Sequence, residues 1–349
     1  MKKIVFVMPS LSGGGAERVL VTIANYLANK GYQVVIALTI KKDIVYSVDE
    51  KIIIECNFFK KSFYNQIRFI RLILKKYRGS KVVSFLTNQN IFTVIASLGL
   101  KNEVIISERN DPSKDLEGKK YLIKIKNYLY SKADKIVFQS KGAMDYYSKV
   151  IQKKGIIINN PLKIGLPKRY LGVRKKEIVT VARLEPQKNI LLLIKAFNIF
   201  QKNNSNYILS IYGKGSLEEE LKSVVRALKL EEKVFFRGFV KDVSEKICSA
   251  SLFVLSSDYE GVSNAMLEAL AMGIPTISTD SPPGGARMFI KDGINGFLVP
   301  IRNENILASK MNRIVNDKEL MEKFSKNSIN IRESLSEEQI CSEWEKLFS

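Results

Sequence analysis

The sequence predicts an α/β protein made of two doubly wound parallel sheets, one following the other along the chain. Three observations predict it. The chain has 349 residues, too many for one ordinary core when domains run at roughly 100–200 residues. Short β-branched runs alternate with amphipathic segments along most of its length, the pattern of repeated βαβ units. The alternation is interrupted by NNPLKIGLPKRYLGVRKKE (159–177), which carries two prolines, two glycines and many charges, and shows no periodicity. A linker there divides the chain into a first domain over 1–168 and a second over 169–330. A helical tail over 331–349 is expected to pack back on the first domain.

Each element follows from the same pattern. In the first half IVFVM (4–8) reads as a buried strand. AERVLVTIANYLANK (16–30) has apolar residues at helical spacing and is stopped by Gly31. QVVIALT, KVVSFLT, EVIIS, KIVFQ and the run from Gly155 are further strands, with helical stretches between most of them. In the second half EIVTVA, YILSIYG, KVFFRG, LFVLSS and PTIST are strands. NILLLIKAFNIFQ, LEEELKSVVRALK and SNAMLEALAMG are the helices between them. Beyond about residue 302 the pattern is helical, and the last helix holds the only tryptophan, Trp344.

Composition narrows the function. Apolar residues make up 46% and charged residues 26%, as in soluble globular proteins. No run approaches the ~18–20 apolar residues of a membrane span. The N-terminal apolar run breaks at Pro9, so it reads as a strand and not as a signal peptide. Cys56, Cys248 and Cys341 are scattered without a CxxC, which suits a reducing cytosol and argues against structural zinc. The net charge is +21; residues 1–170 hold 31 Lys+Arg against 12 Asp+Glu, or +19, and the remainder 25 against 23, or +2. Such asymmetry points to an anionic partner: lipid head groups, nucleic acid or a phosphorylated substrate. A habit of placing lysine on solvated surfaces is the competing account, and it leaves the balanced second half unexplained. Histidine is absent, so the commonest general base and metal ligand is missing and catalysis must rest on carboxylates, amides, cations and backbone donors.

Three constellations can carry chemistry. SLSGGGAER (10–18) follows the first strand and opens a helix. Gly13, Gly14 and Gly15 permit a tight turn or a close backbone approach, and the helix N-terminus offers N–H groups to an anion. The loop lacks GxGxxG and no acidic residue ends the second strand, so a dehydrogenase reading is weak; taken alone, the loop fits a plain turn or a site. In VARLEPQKNI (181–190), Arg183 and Lys188 follow the first strand of the second domain, where two fixed cations would neutralise a diphosphate. Two basic residues on a loop also fit a solvated surface. In DYEGVSNAMLEALAMGIPTISTD (258–280), Glu260 lies on the loop after the LFVLSS strand. Ser263 is an N-cap, and Glu268 sits in a helix that is apolar nearly all round. A carboxylate there is costly without donors, which sugar hydroxyls supply; a surface-facing glutamate is the plainer alternative.

Together these segments resemble glycosyltransferase family 4, the retaining GT-B enzymes. The resemblance runs through RLxxxKN, EGxxxxxLEALAxGxP, IYGKGSLEEEL, FFRGFV and GGARMFIKDGINGFLVP, and covers almost the whole chain. It implies two Rossmann-like domains facing across a cleft. The donor nucleotide-sugar would be held mainly by the second domain and the acceptor by the first, with no catalytic metal and no cofactor beyond the donor. It implies that Arg183 and Lys188 hold the diphosphate and that Glu268 binds the ribose. Glu260 would meet the transferred sugar, beside the backbone of Gly261, Val262, Ser263 and Asn264. Gly14 and Gly15 would let the first domain close over the phosphates, and the loop at Arg237, Gly238 and Phe239 would face the base. Many relatives carry histidine where ISERNDP (106–112) has Arg109. Arg109 would then stabilise the leaving phosphate, or Glu108 or Asp111 would take the acceptor's proton.

FFKKSFYNQIRFIRLILKKYRG (58–79) and GKKYLIKIKNYLYSKADK (118–135) mix lysine and arginine with aromatic and aliphatic residues. Both read as basic amphipathic helices that rest on an anionic membrane, or else as helices whose apolar faces pack on the sheet. The combined expectation is a cytoplasmic protein, peripheral on the inner face of the plasma membrane. It would transfer a hexose or N-acetylhexosamine from a UDP-sugar to a growing polyprenyl-diphosphate-linked surface glycan. A UDP-sugar 2-epimerase and a non-catalytic basic membrane-binding module are the alternatives. No RNA- or DNA-binding motif is present, and nucleic acid is not expected as a partner.

Overall fold

The computed structural model describes residues 2–60 and 62–348. Lys61, part of the expected basic stretch 58–79, lies outside the described residues. Two compact units are formed: Met1–Pro161 with Leu335–Ser349, and Leu162–Ser334.

The first unit alternates strand and helix. In chain order it contains β1 (Lys3–Met8), α1 (Gly15–Asn29), β2 (Gln33–Leu38), β3 (Ile53–Cys56), α2 (Phe63–Lys76), β4 (Lys81–Phe85), α3 (Thr87–Ser97) and β5 (Glu103–Ser107). There follow α4 (Lys120–Tyr130), β6 (Lys135–Phe138), α5 (Lys141–Asp145), α6 (Lys149–Gln152) and β7 (Gly155–Ile157). The seven strands lie in the order β3-β2-β1-β4-β5-β6-β7, and every pairing is parallel. Continuous apolar strands such as Ile4–Met8, buried at every position, need cover on both faces, which the connecting helices supply.

The second unit repeats the plan with β8 (Lys175–Val181), α7 (Ile190–Gln201), β9 (Ile208–Tyr212), α8 (Glu218–Ala227), β10 (Val234–Gly238) and α9 (Val243–Ile247). It continues with β11 (Ala250–Leu255), α10 (Asn264–Ala271), β12 (Thr276–Thr279), β13 (Phe297–Val299), α11 (Glu304–Asn316), α12 (Lys318–Ser328) and α13 (Ile331–Ser334). Its six-stranded sheet runs β10-β9-β8-β11-β12-β13. The final helix, α14 (Glu337–Lys346), belongs to the first unit. There Tyr32 donates to Glu345 at 3.1 Å, and Lys81 and Lys135 donate to the Leu347 carbonyl at 3.3 and 3.0 Å.

Strands β3 and β13 are absent from the sequence reading. Both are outermost in their sheets and are four and three residues long, so neither shows the long buried run that marks the central strands. A second difference concerns 58–79. Phe69, Ile70, Ile73 and Leu74 of α2 are buried against Val5, Val7, Val35 and Val82 of the sheet. That part of the apolar stripe is therefore core, because the sheet needs that face, while Phe63 (59% exposed), Tyr64 (71%) and Leu72 remain on the surface. On α4 Lys126, Leu129 and Tyr130 turn inward, while Tyr121 (75% exposed), Leu122, Ile125 and Tyr128 (63%) remain on the surface.

Candidate active site

In the second unit the winding reverses between β8 and β11, neighbours in the sheet. Loops leaving the carboxyl ends of two such strands diverge and open a crevice, the usual ligand edge of an open α/β sheet. The loop after β8 carries Arg183 and Lys188; the loop after β11 carries Glu260. Lys188 and Glu260 form an ion pair whose side chains are 12% and 14% exposed, and Ser257 Oγ also approaches Glu260 Oε2 at 3.4 Å. Arg183 is exposed. The two loops are stitched side by side. Ser256 Oγ donates to the Lys188 carbonyl at 2.9 Å, Gln187 Nε2 to the Tyr259 carbonyl at 3.0 Å, and the Asp258 amide to the Gln187 carbonyl at 2.9 Å.

Glycine lets further backbone crowd this edge. A Cβ on Gly285 would overlap the Gly261 carbonyl oxygen, so the 281–286 segment lies directly against the start of the 261–264 backbone. The Glu260 amide donates to the Pro282 carbonyl at 2.8 Å. Ser263 caps α10, accepting from the Met266 amide, as its residue type foretells. Met266, Leu267, Ala269, Leu270 and Ala271 are buried, whereas Glu268 is half-buried on the remaining face. Gly238, at φ +67°, ends β10 and presents Phe239, 74% exposed. Arg183, Lys188, Glu260, Gly261, Val262, Ser263, Asn264 and Phe239 thus fall on loops or a helix start beyond the strands of one sheet, with Gly238 at the end of β10 and Glu268 one turn into α10.

Gly14, Gly15, Glu108 and Arg109 belong to the first unit. Gly14 is the N-cap of α1; its amide donates to Tyr46 Oη at 2.6 Å, and the Gly13 amide to Glu17 at 2.7 Å. Glu108 and Arg109 follow β5 and are only 1% and 7% exposed. Glu108 accepts from Tyr147 Oη at 2.8 Å, Tyr130 Oη at 3.2 Å and the Arg109 amide at 3.1 Å. Burial, and then the nearby Asp115 charge, push its carboxyl up to about 7, since a low-dielectric site disfavours the charged form. Burial brings the Arg109 guanidinium down to about 9. That guanidinium lies 4.0 Å from the Phe85 ring centroid and 5.6 Å from that of Trp344. It donates to Asn160 Oδ1 at 2.7 Å, which Gln139 also reaches at 2.8 Å.

Sequence reasoning named Asp111 near this cluster but missed Lys126. Lys126 is fully buried and surrounded by the rings of Tyr130, Tyr146 and Tyr147 at 5.3–5.8 Å. Asp111 accepts from the Ser113 amide and hydroxyl at 2.9 and 2.7 Å, and its other oxygen has no partner among the described residues. In the sequence Lys126 sits in a lysine-rich amphipathic stretch, where nothing separates the one buried lysine from its exposed neighbours.

Two Rossmann-like sheets, with charged loops gathered at the winding reversal of the second, are the make-up of the GT-B architecture. Solved structures share this architecture. S. aureus TarM, in a complex containing UDP, matches with a TM-score of 0.83 over 100% of both chains at 16% identity. HepE of Anabaena with UDP-glucose matches with 0.83 over 99% of both chains at 18% identity. Residues 168–331 match the family described as glycosyl transferases group 1. A Campylobacter jejuni protein is 29% identical over 100% of this chain and 99% of its own. It is named GalNAc-alpha-(1->4)-GalNAc-alpha-(1->3)-diNAcBac-PP-undecaprenol alpha-1,4-N-acetyl-D-galactosaminyltransferase. An uncharacterised glycosyltransferase of Haemophilus influenzae is 29% identical over 99% of both chains. The second unit is a group 1 glycosyltransferase domain, and the chain is a glycosyltransferase.

Proposed function

We propose that the chain transfers a hexose or N-acetylhexosamine from a UDP-sugar, with retention and without a metal, to a growing polyprenyl-diphosphate-linked surface glycan. The Lys188–Glu260 pair carries this reading. It places a fixed cation and a carboxylate side by side at the ligand edge of the family's own domain, with Arg183 on the same loop. As the bond from the sugar's anomeric carbon to UDP breaks, the electron pair leaves on the phosphate, and Arg183 and Lys188 meet that charge. Glu260 accepts hydrogen bonds from the sugar hydroxyls and Glu268 from the ribose. Gly238 and Phe239 flank the base.

The acceptor is assigned to the first unit. The two Campylobacter jejuni relatives are named for lipid-linked, diphosphate-bearing acceptors and for alpha linkages, which supports the same acceptor class and retention here. A UDP-sugar 2-epimerase of the same architecture has no counterpart among these transferase names. Release of UDP or GDP from the matching members of a panel of UDP- and GDP-sugars, raised by a polyprenyl-diphosphate glycan, is the deciding measurement. A beta-linked product from an alpha-linked donor would overturn retention. Within the 108–111 loop, Glu108→Gln, Arg109→Lys and Asp111→Asn made singly separate the proton acceptor from the phosphate ligand. Unchanged turnover in all three removes the loop from the chemistry.

Work at a membrane is supported by α4, where Tyr121, Leu122, Ile125 and Tyr128 are exposed among Lys119, Lys120 and Lys124, the make-up of an interfacial helix. No helix among the described residues is long and apolar enough to cross a membrane. Binding to anionic vesicles that weakens with salt, and is lost when those three lysines become glutamine, is the expected result.

A further inference from the structure

We infer that Asp258 is a positioning residue for glycosyl transfer, setting the Lys188–Glu260 pair through an arginine brought in from the far side of the sheet edge. The inference rests on the donor-site reading given above. Asp258 lies two residues before Glu260 and touches two other segments at once. Its Oδ1 accepts from Asn189 Nδ2 at 2.7 Å. Its Oδ2 accepts from both Nε and Nη2 of Arg302 at 2.9 Å. Its amide donates to the Gln187 carbonyl at 2.9 Å. Lys188 is therefore bracketed: the residues before and after it are both fixed on Asp258, and its own carbonyl is held by Ser256.

The backbone shows that this meeting point is imposed and not incidental. Asn189 and Arg302 have φ of +42° and +57°, the left-handed region, which asparagine enters more readily than most residues and arginine only at a cost. Both aim their side chains at the one carboxylate. Asn189 has a second duty, since its Oδ1 caps α7 by accepting from the Leu192 amide at 3.1 Å. Asp258 thus joins the α7 start, the β11 loop and the segment before α11, and Lys188 and Glu260 sit between those fixed points. An exposed ion pair contributes little to stability, and the Arg302 side chain is 73% exposed. The use of this pair lies in geometry: a loop displaced by about 1 Å costs on the order of 100-fold in rate when it carries reacting-group contacts.

The test measures donor turnover by UDP release in Asp258→Ala, Arg302→Ala and Arg302→Lys, each alone and in a Lys188→Met background, with UDP binding and melting temperature followed in parallel. The expected result is a kcat lowered about 10- to 100-fold in Asp258→Ala with donor KM within about 3-fold. Arg302→Ala is expected to lose less, and Arg302→Lys to recover part of that loss. In the Lys188→Met background Asp258→Ala costs nothing further, because its effect runs through the pair. Full turnover in both alanine variants overturns the inference. So does an Asp258→Ala loss of undiminished size without Lys188, which marks a general structural role. Full turnover in Lys188→Met alone overturns the donor-site reading instead, and the inference falls with it.

Discussion

The two sheets have the same central winding, yet their carboxyl edges hold charge in opposite ways. In the second unit Lys188, Glu260, Asp258 and Arg302 form ion pairs on loops that solvent still reaches. In the first, Glu108, Arg109 and Lys126 are buried among Tyr130, Tyr147, Phe85 and Trp344, and no carboxylate lies within ion-pairing distance of Lys126 among the described residues. The carboxyl edges of two similarly wound sheets therefore support two kinds of electrostatics. One edge keeps its charges paired and available to a ligand. The other keeps a carboxyl near neutrality by desolvation and surrounds it with hydroxyl donors.

The strongest challenge to that contrast is Lys188→Met, where turnover is expected to fall on the order of 1000-fold, as when a charge-stabilising group is removed from a reaction centre. Steady-state UDP release reads it directly. Gly285→Ala comes next: the added methyl meets the Gly261 carbonyl, and overpacking of this kind costs about 2 kcal/mol, visible in a denaturant midpoint.

The buried edge predicts a pH effect instead. Because the Glu108 carboxyl is raised to about 7 in the folded chain, the folded state keeps a proton that the unfolded state has released above the usual carboxylate range. The contribution of Glu108 to stability is thus highest in acid, falls as pH rises from the unfolded value towards 7, and is at its lowest above that. Glu108→Gln should remove this slope, so the stability difference between variant and parent grows with pH across that window and then levels. A flat difference would show that Glu108 ionises normally. The smallest effect belongs to Lys126→Met. Lys126 lowers the Glu108 value, so its loss moves the same midpoint to higher pH, measurable in the same titration.

Much of this was legible in the sequence. Runs such as IVFVM and LFVLSS disclose buried central strands by themselves, and Gly273 and Ser263 announce the ends of α10 by their residue types. Lys188 and Glu260 could be placed at a sheet edge because each follows such a strand by a few residues. Their pairing could not, since 72 residues separate them and only the neighbouring of β8 and β11 brings them together. Arg302 was invisible for the same reason: it lies 44 residues from Asp258, in a turn with no pattern of its own. What covers the apolar residues of 58–79 was not legible, because periodicity reveals that a helix has an apolar face, not what meets it. In α2 the sheet covers Phe69, Ile70, Ile73 and Leu74 while Phe63, Tyr64 and Leu72 stay outside, and in α4 part of the apolar surface likewise stays outside.

The order of synthesis gives the α14 contact another meaning. Trp344 is fully buried, its ring tilted at 32° to that of Phe85 and close to Arg109, yet it is made only after the whole of 162–334. A ribosome that has finished Pro161 has delivered every strand of the first sheet but not the segment that closes over Phe85. The first unit must therefore wait, with that aromatic surface open, while an entire second unit emerges and folds. A chain arrested in translation between Pro161 and Trp344 carries a half-closed first unit, a natural target for chaperones and proteases.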